Sequence, residues 1–254
     1  MLSQKVPVAA VVVGHGERGG AFSNAILLGH ADAVGASLPD IAVTAGVLSG
    51  TPTLEDALAA AARSGARHIL VYPYFMAAGF FVNTKVPKRL SEAGVAERCR
   101  VLAPLGADPG MPALIMRKAV ALAEADLGLA PAECRLLLVG HGSQVSRASA
   151  EATEAVARRL LAMNSFGAVA TAYLEEPPEL DDVITADTRP TVVVGFFNVD
   201  GLHAGEEVPQ AMLNAPAPVA YTGPVGALPE VAGLIANAIE AEVAALTRLL
   251  APSA

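Results

Sequence analysis

Residues Ala10–Gly16 read AVVVGHG, and 126 positions later residues Leu136–Gly142 read LLLVGHG. Each is a short β-branched or leucine-rich run that stops at glycine, histidine, glycine. A run of this length, bounded by a turn signal, fits a strand buried on both faces. The flanking glycines let the backbone turn sharply while the imidazole stays at the strand tip. The same offset lays GVLSGTPTLEDAL (Gly46–Leu58) over AYLEEPPELDDVI (Ala172–Ile184), matching Leu48 with Leu174, Pro52 with Pro178, Leu54 with Leu180 and Asp56 with Asp182. Further on, VYPYFMAAGFFVNTKVP (Val71–Pro87) lies over VVGFFNVDGLHAGEEVP (Val193–Pro209) at an offset of 122, and PLGADPGMPALI (Pro104–Ile115) over PVGALPEVAGLI (Pro224–Ile235) at 120. Four blocks in one order, separated only by small deletions, mean a duplicated unit of roughly 120 residues, a common domain size. The expected division is 1–127 and 128–254, with a Gly/Pro/Ala connector at Leu127–Ala132.

Within each copy, Val/Ile/Leu runs alternate with longer Ala-rich amphipathic stretches, as strands covered by crossover helices do. Strands are expected near 6–13, 41–48, 68–74 and 100–103, and again near 135–139, 168–174, 191–196 and 218–221. Helices fill the intervals, notably 21–36, 53–64, 111–126, 149–163 and 229–250. The class is α/β: two tandem duplicated domains, each a parallel sheet flanked by helices. Ligands of such sheets bind beyond the carboxyl ends of the strands, where both Gly-His-Gly tripeptides fall.

The 254 residues are 53% hydrophobic and 17% charged, yet the apolar runs are too short to cross a bilayer. The apolar stretch near the N-terminus runs straight into Gly14-His15-Gly16 without a small-residue cleavage site, so it reads as a first buried strand and the protein as cytoplasmic. Cys99 and Cys134 stand apart with no CxxC spacing, which supports neither an iron–sulfur cluster nor structural zinc. A net charge of −8, no Trp and no basic patch interleaved with aromatics argue against nucleic acid as a partner.

Five histidines narrow the chemistry. His15 and His141 follow the first strand of each copy. A lone Gly-His-Gly is also an ordinary strand-to-helix turn, but its recurrence at one structural position favours function. His203 follows the third strand of the second copy, so His141 and His203 are expected at neighbouring strand ends, able to hold one borderline metal ion with positions left open. Phe81 stands at the matching place in the first copy. His30 and His68 have no counterparts and read as helix-surface and strand-start residues. Glu175 and Glu176 end the second strand of the second copy, where the first has Ser49 and Gly50. Glu175 there could take protons from a ring nitrogen; Glu176 reads as a solvated loop charge. Glu206 and Glu207, before Pro209, read as helix-start carboxylates.

Taken in order, the GHGS turn, YLEEPPELDDVI, GLHAGEEVP and PVGALP resemble the motifs of the sirohydrochlorin chelatase family, the class II tetrapyrrole chelatases. The resemblance covers nearly the whole chain as two tandem copies, like the long form of that family. It implies a cleft between the halves for the macrocycle, with His141, His203 and Glu175 as catalytic residues and His141 and His203 as metal ligands. His15 matches only the first of the three. The first copy departs at Ser49, at Phe81 and at Glu17, which stands where the second copy has Ser143, so its site is degenerate and the second copy carries the main one.

The implied activity is insertion of Co²⁺ or Fe²⁺ into sirohydrochlorin or a related tetrapyrrole, for cobalamin or siroheme. The metal, Co²⁺, Fe²⁺ or Ni²⁺, is a substrate, and no organic cofactor is expected. Contacts to the ring are expected from His15, Ser143, Arg147, Phe81 and Lys85, with Arg18, Lys88 and Phe80 as further candidates. The competing expectation is a non-catalytic tetrapyrrole- or metal-binding relative. Two fused copies suit a monomer or a weak homo-oligomer.

Overall fold

The computed structural model describes residues 7–17, 24–199, 201 and 203–250, without the side chains of His203, Ala204 and Leu250. In chain order the elements are β1 (Val8–Gly14), α1 (Ala25–Ser37), β2 (Ala42–Val47), α2 (Leu54–Arg63), β3 (His68–Pro73), α3 (Val86–Glu92) and β4 (Cys99–Val101). They continue as α4 (Met111–Ala125), β5 (Arg135–Gly140), α5 (Ala148–Ala162), β6 (Ala168–Tyr173), α6 (Leu180–Ala186), β7 (Thr191–Gly195), α7 (Val208–Met212), β8 (Val219–Pro224) and α8 (Val231–Leu250). Two four-stranded sheets result, ordered β2-β1-β3-β4 and β6-β5-β7-β8, with every strand pair parallel.

Burial explains the strand sequences. Every residue of β1, β5 and β7 is buried, and these central strands are the ones written as near-continuous apolar runs. The edge strand β4 has three residues and none is fully buried. Leu137, Val139, Leu180, Ile184, Val193 and Val208 form one core cluster; Val11, Val13, Leu54, Leu58, Ile69 and Val86 form its counterpart. Helix α2 starts at Thr53, whose hydroxyl accepts from the Asp56 N–H while the Asp56 carboxylate accepts from the Thr53 N–H and hydroxyl.

The duplication reaches fine detail. The Thr51-Pro52 and Pro177-Pro178 bonds are both cis, and each copy has a π-helical turn, Phe81–Lys85 or His203–Glu207, running into its short third helix.

The compact units differ from the sequence copies. One comprises residues 1–108 and 229–254, the other 109–228, so the repeat junction at 127/128 lies inside the second unit. Helix α4, which the repeat assigns to the first copy, packs on α5, β7 and β8 of the second unit; α8 packs on α1 and β3 of the first. The inward stripe of α4, with Met111, Leu114, Ile115 and Ala119 buried, dictates that placement. Similarity between copies reports common descent, whereas compactness reports which apolar faces meet.

In each sheet the chain leaves the first strand toward one side and returns to the other, so loops diverge between β1 and β3 and between β5 and β7. That reversal of strand order is where parallel α/β sheets open a ligand crevice. His15 and His141 stand directly after β1 and β5.

Candidate active site

In the second unit, Gly140-His141-Gly142 is tied to the chain leaving β6. The Leu174 and Glu175 N–H groups donate to the His141 carbonyl at 3.2 and 3.0 Å. Gly142 has φ +74°, and a Cβ there would come within 2.9 Å of Glu176 Cγ and Tyr173 Cβ, so the turn requires glycine. The His141 imidazole directs Nδ1 at two acceptors, the Gly142 carbonyl at 3.1 Å and the Glu175 carboxylate at 3.7 Å. An imidazole that donates from Nδ1 to such acceptors has Nε2 as its basic nitrogen, the form that suits a metal ion or a proton. Both side chains remain well exposed, 41% for His141 and 48% for Glu175.

Glu176 behaves unlike its neighbour. Expected in solvent, it is buried, and accepts from the Ser143 N–H (3.1 Å) and from Arg147 (3.4 Å). The absence of a Cβ at Gly142 leaves the space into which its side chain turns. Arg147 also donates to Glu154 at 2.9 Å, and the Tyr173 hydroxyl donates to the same carboxylate at 3.5 Å. Arg147, expected to meet substrate carboxylates, is thus engaged by two carboxylates of its own unit. The Ser143 hydroxyl accepts from the Val145 and Ser146 N–H groups, closing a local turn.

His203 opens the π-helical turn after β7, on the same sheet edge as His141, but its side chain, and hence the reach between the two imidazoles, lies outside the described residues. Among the described residues no three His, Cys, Asp or Glu side chains are grouped to hold a metal ion. Glu206 falls in the first turn of the π-helical segment, as a helix-start carboxylate does, while Glu207, at the start of α7, makes no side-chain cap hydrogen bond. They line an open groove of about 530 Å³ together with Glu179, Asp181, Tyr173 and Gln210. In the first unit the matching place is closed by Arg89, which is paired with both oxygens of Glu55 and donates to the Leu48 carbonyl at 3.2 Å.

In the first unit, the Ser49 N–H donates to the His15 carbonyl at 2.9 Å, repeating the tie seen at His141. A Cβ on Gly16 would lie 1.8 Å from the Ser49 carbonyl oxygen. His15 meets the ring of Phe81 edge-on, at 4.5 Å between centroids and 86°. Phe81 also stacks on Phe75 and touches Phe80, and Lys85 Nζ sits 5.4 Å from the Phe80 centroid. Phe80 and Phe81, at 59% and 38% exposure, present aromatic surface to solvent. Lys88 is paired with Glu92 on the surface, and Arg18 lies outside the described residues.

His30 is not a surface residue. Leu27, His30, Ala31 and Val34 form the buried stripe of α1, and the His30 ring lies 5.6 Å from that of Tyr74. His68 begins β3, as expected. Burial raises the Cys99 thiol to about 11 and pushes the Cys134 thiol up as well, so both stay protonated at neutral pH. No helix among the described residues is long and apolar enough to cross a membrane.

Sequence reasoning missed Glu176 and Asn24. Asn24 is buried with φ +68°, accepts from the Glu17 N–H at 3.0 Å and donates to the Thr51 carbonyl at 3.0 Å. Asn24 lies outside every repeated block, so the comparison of copies passed over it. For Glu176, the one available signal was Arg147, a cation placed a turn beyond the same tripeptide.

Two tandem parallel sheets of this order, each with a histidine turn where the strand order reverses, make a duplicated chelatase-like α/β protein. The CbiX family model matches residues 9–121 and 135–242. The chain belongs to the CbiX family, the sirohydrochlorin chelatases, in its two-copy length. It is similar to a probable sirohydrochlorin cobaltochelatase of Halobacterium salinarum, 27% identical over 230 residues that span 80% of this chain and 75% of that one. Among solved structures it is similar to CbiX, described as the terminal enzyme for siroheme biosynthesis in denitrifying bacteria. That likeness has 30% identity and a TM-score of 0.75 over 92% of this chain and 98% of the other. SirB from Bacillus subtilis, solved with Fe³⁺, shares the fold at 21% identity, with a TM-score of 0.76 over 96% of this chain and 98% of that one.

Proposed function

We propose that the protein inserts Co²⁺ or Fe²⁺ into sirohydrochlorin or a close relative, and that the second copy performs the chemistry. The observation that carries this reading is the setting of His141: its Nδ1 faces the Gly142 carbonyl and the Glu175 carboxylate at the point where ligand crevices open in such sheets. Insertion exchanges one divalent ion for two pyrrolic protons. The ion needs a ligand while it sheds water, and the protons need a base. His141 and His203 serve as metal ligands, and Glu175, within 3.7 Å of His141, takes the protons onward. In the first unit, His15, Phe81 and Phe80 offer aromatic contact and Lys85 a cation suited to an anionic ring. Ser143 shapes the turn from which His141 projects.

The test is optical. Purified protein is mixed with sirohydrochlorin and Co²⁺, Fe²⁺ or Ni²⁺, and the metallated product is followed by absorbance. Turnover is expected to fall about 10²–10⁴-fold in His141→Ala and in His203→Ala. It should persist in His68→Gln and decline at acidic pH, since only neutral imidazole binds metal or accepts a proton. Stoichiometric binding without turnover in the unmodified protein would instead assign it as a tetrapyrrole carrier.

A further inference from the structure

The two copies satisfy one backbone group by unrelated means. The N–H of the residue following Gly-His-Gly is Glu17 in the first copy and Ser143 in the second. In the first it donates to the buried Asn24 amide oxygen at 3.0 Å; in the second it donates to the buried Glu176 carboxylate at 3.1 Å. Carried at the offset of 126, Asn24 falls on Ala150 and Glu176 on Gly50, neither of which has a side-chain acceptor. Two different side chains, each buried to reach the same N–H, point to a requirement that the tripeptide be held in one orientation.

We infer that Glu176 is a positioning residue of the insertion site, holding the turn so that His141 meets Glu175; this rests on the reading of His141 given above. The adjacent glutamates divide the work by direction. Glu175 faces outward beside the imidazole, 48% exposed, while Glu176 turns inward at 9% exposure. One Glu176 oxygen takes the Ser143 N–H and the other takes Arg147, which Glu154 holds in turn. The turn after β5 is thereby pinned to the end of β6 and to α5. An unanchored turn would let the imidazole leave its acceptors and lose the tautomer that makes Nε2 basic. Glu176 touches no reacting atom, and its effect passes through the Ser143 backbone.

Glu176→Gln and Glu176→Ala separate this role from bulk stability. The glutamine oxygen still accepts from the Ser143 N–H, whereas alanine removes the acceptor. With sirohydrochlorin and Co²⁺, Glu176→Ala is expected to lower kcat about 10–100-fold, as loss of a partner that orients a metal-binding histidine does, with KM for the ring within about threefold. Glu176→Gln should recover kcat to within about threefold of the unmodified protein. In the same samples, hydrogen exchange at the Ser143 amide should be about fivefold or more faster in the alanine variant than in the glutamine variant. Glu176→Ala within twofold of unmodified kcat, or Ser143 exchange equal in the two variants, overturns the inference. Retention of turnover by His141→Ala would instead overturn the reading on which it rests.

Discussion

An imidazole beside two acceptors favours the tautomer that donates to them, and His141 has a carbonyl one residue away and a carboxylate just beyond the end of β6. The sequence placed His141 and Glu175 each at a strand end because a periodic pattern locates strand tips. Side-chain direction at a tip carries no such pattern, so Glu176 read as solvated. His30 was legible in principle, since it falls with Leu27, Ala31 and Val34 on one helical stripe. The second unit also buries a charge away from the site. Arg135, 4% exposed, donates to the Thr191 hydroxyl and the Val183 carbonyl and lies 3.6 Å from Asp187. Hydrogen bonds from Arg189, with the Arg135 charge adding to them, hold the Asp187 carboxyl down at about 2. A depressed carboxyl stabilises the fold above its unfolded value of 3.8, and that contribution is lost as the pH falls through about 2. Asp187→Asn is expected to lower stability at neutral pH by about 1–3 kcal/mol in urea denaturation. The difference should shrink as the pH drops from 3.8 towards 2. An unchanged difference across that range would deny the pairing.

At the scale of elements, the strands fall within about three residues of expectation at each end, because buried parallel strands write themselves as apolar runs. The short third helices and the π-helical turns that feed them were harder to see: at five to seven residues they are too brief to show periodicity. Those same elements carry the sharpest divergence between copies. Arg89 on α3 closes its groove onto Glu55, whose carboxyl this hydrogen bond lowers; Ala211 on α7 leaves the equivalent groove open beside Asp181. Restoring the first copy's pair in the second, with Ala211→Arg and Asp181→Glu together, is expected to raise stability by no more than about 1 kcal/mol. The gain should diminish at high salt and at acidic pH, where the carboxylate is screened or protonated. A double variant less stable than Ala211→Arg alone in thermal unfolding would show that the two grooves are not equivalent.

For the whole molecule, the repeat disclosed the duplication and the family, while the partition into compact units stayed hidden, because motif matching says nothing about which helix covers which sheet. The two divisions give different fragments. Residues 109–228 hold β5–β8 together with α4 and should fold alone with a cooperative thermal transition. Residues 128–254 lack α4, and should stay non-cooperative by circular dichroism, with β7 and β8 uncovered. The reverse result would make the repeat the folding unit. The crossed placement of α4 and α8 also constrains history. A half-length ancestor whose last helix already lay on the neighbouring sheet could not have closed its core in isolation; two chains would have had to lend each other a segment. Within a single chain that exchange is intramolecular, and each copy supplies its twin with the helix that roofs its sheet.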